Sequence, residues 1–425
     1  MIEQECVGNF ISLYGKCFLK ITHTMKINRE LIGQFYAGLD DRSRMTLDTA
    51  IEKVVEAKRK GGKVVVVTGS GPNIHEGVTT LVAELIEKGV VDGVTTSSAV
   101  INHEMGGTLD RVKMCPAAQF GLPEEKMPRG NVFEFTDMTD EQIDELGKEM
   151  ILDRELLVKR KDAEGHFVIK AAANMAYPMG LRTEMLADEI HSVCRQTGLP
   201  FEVVAGWGCD PRTMLGAGAR KGVPVLVTLP QLVGGGHVGL AVGDSIAIAE
   251  RSRRISELLG ASDVIIESAV ALTQEIHDGP FETYTGHGIW SWWQHQPTYS
   301  LRDKTLIRFD LDENLRKAQD LQKQSAMIQE AINKGLPKTK LSKIPFRMEM
   351  SAFARHEGSL PVIGDIGMIW PIFALRVADA LNIDLEYMSY KQETDDGKQM
   401  RQWIVDNIKP FDRKLMQERL AGFRH

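Results

Sequence analysis

Several things are scarce in this 425-residue chain, and each scarcity argues against a class of protein. The longest apolar runs, such as Val64–Val67 and Val223–Leu229, are strand-sized. None approaches the roughly 20 residues that a membrane-spanning helix needs. Only five cysteines occur (Cys6, Cys17, Cys115, Cys194 and Cys209), odd in number, widely spaced and without a CxxC. That argues against a disulfide framework or a thiolate zinc site, and a reducing cytoplasm fits best. There is no basic excess, since the net charge is −7, so no electrostatic footprint for nucleic acid or an anionic membrane. The Gly-rich stretch at 68–77 is neither GxGxxG nor a Walker loop, and there is no internal repeat or low-complexity tract.

What is there is ordinary for a globular protein: 43% apolar and 26% charged residues, in a chain long enough for a large core. Residues 1–24 read as an extension ahead of a natural start at Met25-Lys26-Ile27-Asn28, or as a loosely attached arm. Residues 25–425 read as one α/β domain. Lys63–Thr68 is a continuous β-branched run, as expected of a strand buried on both faces. The helical spacing of Val78–Lys88 and a second strand at Val90–Thr96 complete a strand–helix–strand unit, which implies a right-handed parallel crossover.

The alternation recurs. Strands are expected at Phe201–Ala205, Val223–Leu229, Asp263–Glu267 and Leu360–Ile363. Helices are expected at Pro211–Lys221, Asp244–Leu259 and Ile369–Leu381. The fold class is therefore a doubly wound, mostly parallel sheet of Rossmann-like type. Charged, amphipathic stretches at Asp140–Val158 and Asp312–Asn333 add helical insertions, near 139–160 and 312–334.

Open parallel sheets bind ligands beyond the carboxyl ends of their strands, so the residues following each strand are the candidates. Thr68-Gly69-Ser70-Gly71-Pro72-Asn73 follows the first strand: its glycines admit close backbone approach to a phosphate, or form a tight turn that binds nothing. Thr95-Thr96-Ser97-Ser98 follows the second, offering hydroxyls to ribose or phosphate, or a helix cap. His103-Glu104 comes next. Val233-Gly234-Gly235-Gly236-His237 follows a later strand, and Gly286-His287-Gly288 leads into Trp290, Trp292 and Trp293, a cluster suited to a pocket or interface wall. Asp365 lies between glycines after the last strand, as an N-cap or a ribose contact. Candidate acid–base groups are His103, Glu104, His237 and His287. Arg182 is either an anion contact or a surface arginine. Convergence of His75, His103, His237 and His287 would permit a metal site, but no ligand-spacing motif accompanies them.

On these residues the chain resembles the deoxyhypusine synthase family. The stretches carrying the resemblance are KVVVVTGSGPNIHEGVTTLVAELIEKGVVDGVTTSS with the following His-Glu, GVPVLVTLPQLVGGG (222–236) and GSLPVIGDIGMIWPIFALRVADAL (358–381), about half the chain in all. The resemblance implies an NAD-dependent α/β enzyme and a homotetramer with sites at subunit interfaces. It places Ser70, Asn73, Thr95, Thr96 and Asp365 around NAD and His103-Glu104 nearby, and Thr68 and Gly69 of the same glycine-rich loop join the cofactor candidates. The catalytic half departs. With Ser291-Trp292 as the family's Ser-Trp, Gln294 stands where that family has its lysine, and glutamine forms no imine. The acidic loop that helps hold a polyamine is here Val233-Gly234-Gly235-Gly236-His237.

The expected activity is therefore NAD-linked oxidoreductase or transferase chemistry on a small non-polyamine substrate, in a pocket walled by Trp290, Trp292, Trp293 and Gln294. The alternatives are a metal-dependent lyase or hydrolase, an aminobutyl transferase with its lysine relocated to Lys304, and a non-catalytic nucleotide-binding subunit.

Overall fold

The computed structural model describes residues 25–69, 71–127, 130–228, 234–269, 303–322, 326, 330, 333–336, 343–344 and 358–423. In chain order the elements are α1 (Arg29–Gly38), α2 (Asp41–Arg59), β1 (Val64–Val67), α3 (Pro72–His75), α4 (Val78–Glu87), β2 (Gly93–Thr96), α5 (Ser98–Met105), β3 (Leu109–Pro116), β4 (Val132–Thr136), α6 (Asp140–Glu149), α7 (Arg154–Asp162) and β5 (His166–Ala171). They continue with α8 (Met179–Thr197), α9 (Phe201–Gly208), α10 (Met214–Lys221), β6 (Val225–Val227), α11 (Gly236–Ser245), α12 (Ile248–Gly260), β7 (Val264–Ser268), β8 (Thr305–Asp310), α13 (Asn314–Gln322), β9 (Leu360–Ile363), α14 (Ile366–Leu381), α15 (Asp395–Asn407) and α16 (Arg413–Phe423).

Six strands form one parallel sheet in the order β6-β2-β1-β7-β8-β9. The chain winds from β1 outward through β2 to β6, then returns to the other side of β1 and winds out through β7 and β8 to β9. This is the dinucleotide-fold order, and its reversal falls between β1 and β7. The four valines of β1 explain its central place. Val64 and Val66 point into the larger core, which includes Leu47 and Val54 of α2, Leu81 of α4 and Ile369 and Trp370 of α14. Val65 and Val67 point into a second core with Ile255 and Leu259 of α12 and Leu315 of α13. Alternate side chains thus bury both faces, which only a strand covered by helices on each side requires.

Local signals set the element ends. The Asp40 carboxylate accepts from the Ser43 amide (3.0 Å) and starts α2, whose buried Leu47, Ala50, Ile51, Val54 and Val55 make one stripe. Asp92 accepts from the Val64 amide (2.8 Å) and from Lys58 (2.7 Å), fixing the entry to β1.

Between α5 and β6 the chain builds a smaller antiparallel sheet, β4-β3-β5, which the sequence reading lacked. The helix expected over Asp140–Val158 is two helices. Asp153 breaks it by capping α7, accepting from Glu155 and Leu156 (both 3.0 Å). The strand expected at Phe201–Ala205 is the helix α9. Its buried positions include Phe201, Val204, Ala205 and Gly208, a helical spacing that a short apolar run conceals. Among the described residues no helix is long and apolar enough to cross a membrane, and Cys115, Cys194 and Cys209 are buried free thiols.

Candidate functional site

The carboxyl ends of β1, β2 and β7 meet where the strand order reverses. Thr68 leaves β1 with its amide on Thr95 O (2.9 Å) and its hydroxyl on Thr96 Oγ1 (3.1 Å). Thr96 O in turn accepts from the Thr228 amide (3.0 Å) beyond β6. Ser97 caps α5, accepting from the Val100 amide at 3.3 Å, and Ser98 donates to Gly234 O. Thr68, Thr95, Thr96, Ser97 and Ser98 are all buried. Of the hydroxyls offered to a ribose or to a helix cap, Ser97 is the cap and Thr96 and Ser98 make internal bonds, while the main-chain bonds Thr68–Thr95 and Thr228–Thr96 join three adjacent strand ends. The glycine run has a packing reason as well: Gly235 has φ +90°, and a Cβ there would lie 3.0 Å from the Ala99 Cα of α5.

Asn73 straddles the reversal itself. Its Nδ2 donates to Ser268 O (3.3 Å) at the end of β7, and the Ser268 hydroxyl donates to Asn73 Oδ1 (2.5 Å). Trp370 Nε1 of α14 donates to the same hydroxyl (2.8 Å). Asp365 caps α14, accepting from the Gly367 amide (2.9 Å), and pairs with Lys391 (3.2 Å). It lies near the first loop, because its charge bears on Glu76. Burial, reinforced by the Asp365 and Glu393 charges, pushes Glu76 up to about 7 against the Gln392 amide that it accepts (2.7 Å). The first and last strand-end loops are thus brought together.

His103 and Glu104, neighbours on α5, diverge. Glu104 accepts from the Met214 and Leu215 amides (both 2.9 Å) at the start of α10; burial pushes it up to about 7 against those bonds. His103 Nδ1 lies 2.8 Å from Ala172 O. A carbonyl only accepts, so the proton sits on Nδ1, and Nε2 is a lone-pair acceptor with no protein partner among the described residues. Burial, with the Lys170 charge, lowers its pKa, so the ring is neutral. Beside it, the buried Asn102 Oδ1 has no hydrogen-bond partner among the described residues.

His75 is near enough for His103 to affect its charge. Burial first, then Arg401, His103 and Lys170, push it down to about 4. Its Nδ1 lies 3.4 Å from Arg401 Nη2, which also donates to Ile169 O. Guanidinium only donates, so Nδ1 accepts and the neutral ring carries its proton on Nε2. The two rings present opposite polarities: a donor on His75 and an acceptor on His103. The small sheet supplies the backing, through Ala172, Ile169 and Lys170, the last paired with Glu134 (2.7 Å).

Other candidates lie elsewhere. His237 Nε2 pairs with Asp188 (2.8 Å) on the surface. Arg182 is no surface arginine: it is buried, donating to Glu149 (2.9 Å) and Phe411 O (3.0 Å). Lys304 sits just before β8, its ammonium on Gly260 O (2.7 Å) and Ser262 O (2.6 Å) at the amino end of the sheet, opposite the strand-end loops. It is no relocated lysine of that site. Among the described residues, no three His, Cys, Asp or Glu come together to hold a metal. Ser70, His287, Trp290, Trp292, Trp293 and Gln294 lie outside the described residues. Sequence reasoning missed Ser268, Lys170 and Arg401. A strand-final serine beside the reversal could have flagged the first, and nothing in the local sequence flags the other two.

No family model matches the chain, and no curated protein matches it by sequence. Among solved structures it is similar to a conserved protein described as LOR/SDH from Methanococcus maripaludis S2, at 10% identity and a TM-score of 0.35, over 87% of this chain and 73% of that one. It is similar to AgrE in ternary complex with ornithine and NAD+, at 12% identity and a TM-score of 0.36, over 81% of this chain and 33% of that one. It is also similar to ArgZ, an arginine dihydrolase of the ornithine–ammonia cycle in cyanobacteria, at 11% identity and a TM-score of 0.35, over 79% of this chain and 33% of that one. The chain spans about a third of the length of AgrE and ArgZ. The strand order, rather than these distant likenesses, carries the fold assignment.

Proposed function

We propose that this protein is an NAD-dependent enzyme, an oxidoreductase or a transferase working through an oxidised intermediate, acting on a small non-polyamine substrate. The observation that carries this reading is the sheet order β6-β2-β1-β7-β8-β9, whose reversal lies between β1 and β7. Thr68-Gly69 and Ser268-Ala269 flank that reversal, and His103 follows on the neighbouring helix α5. The residue pattern resembling deoxyhypusine synthases points the same way for the cofactor, while Gln294 at the lysine position points away from imine transfer.

Bound NAD would supply a hydride acceptor for the substrate carbon. Gly69 and the turn after it offer main-chain approach for the phosphates, as Asp365 offers a carboxylate beside the same loop. The internally bonded Thr68, Thr95 and Thr96 hold the strand ends in register around them. His103 Nε2, bare and neutral, takes the proton leaving a substrate hydroxyl or amine as the carbon is oxidised. Ala172 O fixes the tautomer that makes this possible. The homotetramer implied by the resemblance belongs to the same reading.

Calorimetric titration of the purified chain with NAD and with NADP tests the proposal. Saturable binding of one nucleotide, near one per chain, is expected. Folded protein that binds neither at millimolar concentration refutes it.

A further inference from the structure

The arginines in the described part of this protein that are as sheltered as Arg401 have carboxylate partners. Arg251 pairs with Glu202, Arg308 with Glu267 (3.0 Å) and Asp310 (2.6 Å), Arg182 with Glu149 (2.9 Å), and Arg212 with Asp210 (2.8 Å). Arg401 differs. It is half-buried on α15, where that helix lies against β3 and β5, and no carboxylate among the described residues comes within ion-pair distance. Its bonds are to Ile169 O and His75 Nδ1, both from Nη2. Nε is buried without a partner, and Nη1 makes no hydrogen bond among the described residues. Burial lowers its pKa, with Glu76 the one acid whose charge opposes this.

A sheltered guanidinium without a counter-charge is costly, and the neighbourhood does not offset it. Lys170 is neutralised by Glu134, not by Arg401's surroundings. The two imidazoles nearby are neutral. Three donors are left over: Arg401 Nε and Nη1, and the Nε2–H that Arg401 itself imposes on His75. All belong to the cluster that contains His103, whose Nε2 accepts.

We infer that Arg401 and His75 form a subsite for the anionic group, a carboxylate or a phosphate, of the substrate that His103 deprotonates. Arg401 binds the anion and sets the His75 tautomer; His75 adds a neutral N–H. The substrate class is thus a small anion with an oxidisable hydroxyl or amine near its charged end. This rests on the proposed function only for the role of His103. The anion subsite stands or falls on its own binding.

The test uses the full chain with arginine side chains labelled with 15N, titrated with pyruvate as a monocarboxylate and, separately, with inorganic phosphate, each with and without NAD. One of the two is expected to saturate and to move the Arg401 Nε–H resonance, which is identified by its loss in Arg401→Lys. Arg401→Gln is expected to weaken that binding about tenfold or more, the loss of a charge-assisted hydrogen bond. Arg401→Lys, which keeps the charge but loses the fork, weakens it about threefold. If Arg401→Gln does not fold, Arg401→Lys and the wild-type titration decide. Neither anion moving the resonance, or both variants binding like wild type, overturns the inference. Anion binding without any NAD binding leaves the subsite standing and removes the cofactor reading. NAD binding without anion binding does the reverse.

Discussion

Asn73 was expected at the cofactor, and the structure makes it a brace between the first loop and β7; the two roles separate in a mutant cycle. Asn73→Ala removes the acceptor of the Ser268 hydroxyl proton and the donor to Ser268 O, all at buried atoms. Each orphaned buried group costs about 1–3 kcal/mol, so with the small void left behind the variant is expected to lose about 2–4 kcal/mol. Ser268→Ala orphans Asn73 Oδ1 and Trp370 Nε1 instead, and its expected cost is about the same. The double variant orphans fewer groups than the two single variants together. Its cost is expected to fall short of their sum by about 1–2 kcal/mol. Urea unfolding followed by circular dichroism gives the three values, and the Trp370 indole N–H resonance reports the local bond. Nucleotide affinity is expected to drop by a similar factor in Asn73→Ala and Ser268→Ala, since both release the loop from β7. An Asn73→Ala variant within about 0.5 kcal/mol of wild type, or strict additivity, refutes the brace. A nucleotide defect in Asn73→Ala alone restores a direct contact.

Two further perturbations test the charges around the sheet. Glu76 has its folded pKa raised from 4.5 to about 7, so its contribution to stability is complete below 4.5 and is lost as pH rises through 7. Glu76→Gln keeps an oxygen for the Gln392 amide and carries no charge. Its urea midpoint relative to wild type is therefore expected to rise between pH 5.5 and pH 8.5, and an unchanged gap contradicts the assignment. Arg308→Met leaves the buried Glu267 and Asp310 without their shared cation. It is expected to cost about 3–5 kcal/mol, read as a lowered urea midpoint and a lower soluble yield; a neutral result removes the ion cluster from the account of the core.

The parallel sheet was legible because its strands carry signals that owe nothing to distant context. Val64–Val67 is unbroken and β-branched, and Leu360–Ile363 begins and ends as expected. The strand–glycine–helix rhythm then leaves few topologies open. What was illegible lies where partners far apart in sequence decide the structure. β3 and β5 contain Asp110, Arg111, Lys113 and Lys170, and only their mutual pairing and the helices above them make strands of such charged stretches. The hydroxyls after β2 read as a ligand contact or a helix cap, and nothing local shows that Thr68 and Gly234 will occupy two of them. Arg401 carries no motif at all. Among the described residues no carboxylate pairs with it, which only the packed chain reveals.

The His103-Glu104 dipeptide shows why adjacency in sequence is a poor guide to shared chemistry. Both side chains are buried, and both have displaced pKa values, which alone would make each a candidate acid or base. Consecutive residues on a helix point about 100° apart, so the pair serves two structures. Glu104 turns to the start of α10, where two amides occupy both of its oxygens. Each oxygen keeps a second lone pair, but the carboxylate is buried against the start of α10, and a displaced pKa does not bring a substrate to it. His103 turns toward the small sheet, where a single carbonyl takes one ring nitrogen and leaves the other bare. Geometry, not titration, therefore separates the brace from the base. The same criterion ranks His75 below His103, since its accepting nitrogen faces Arg401 and only its N–H is left to offer a ligand.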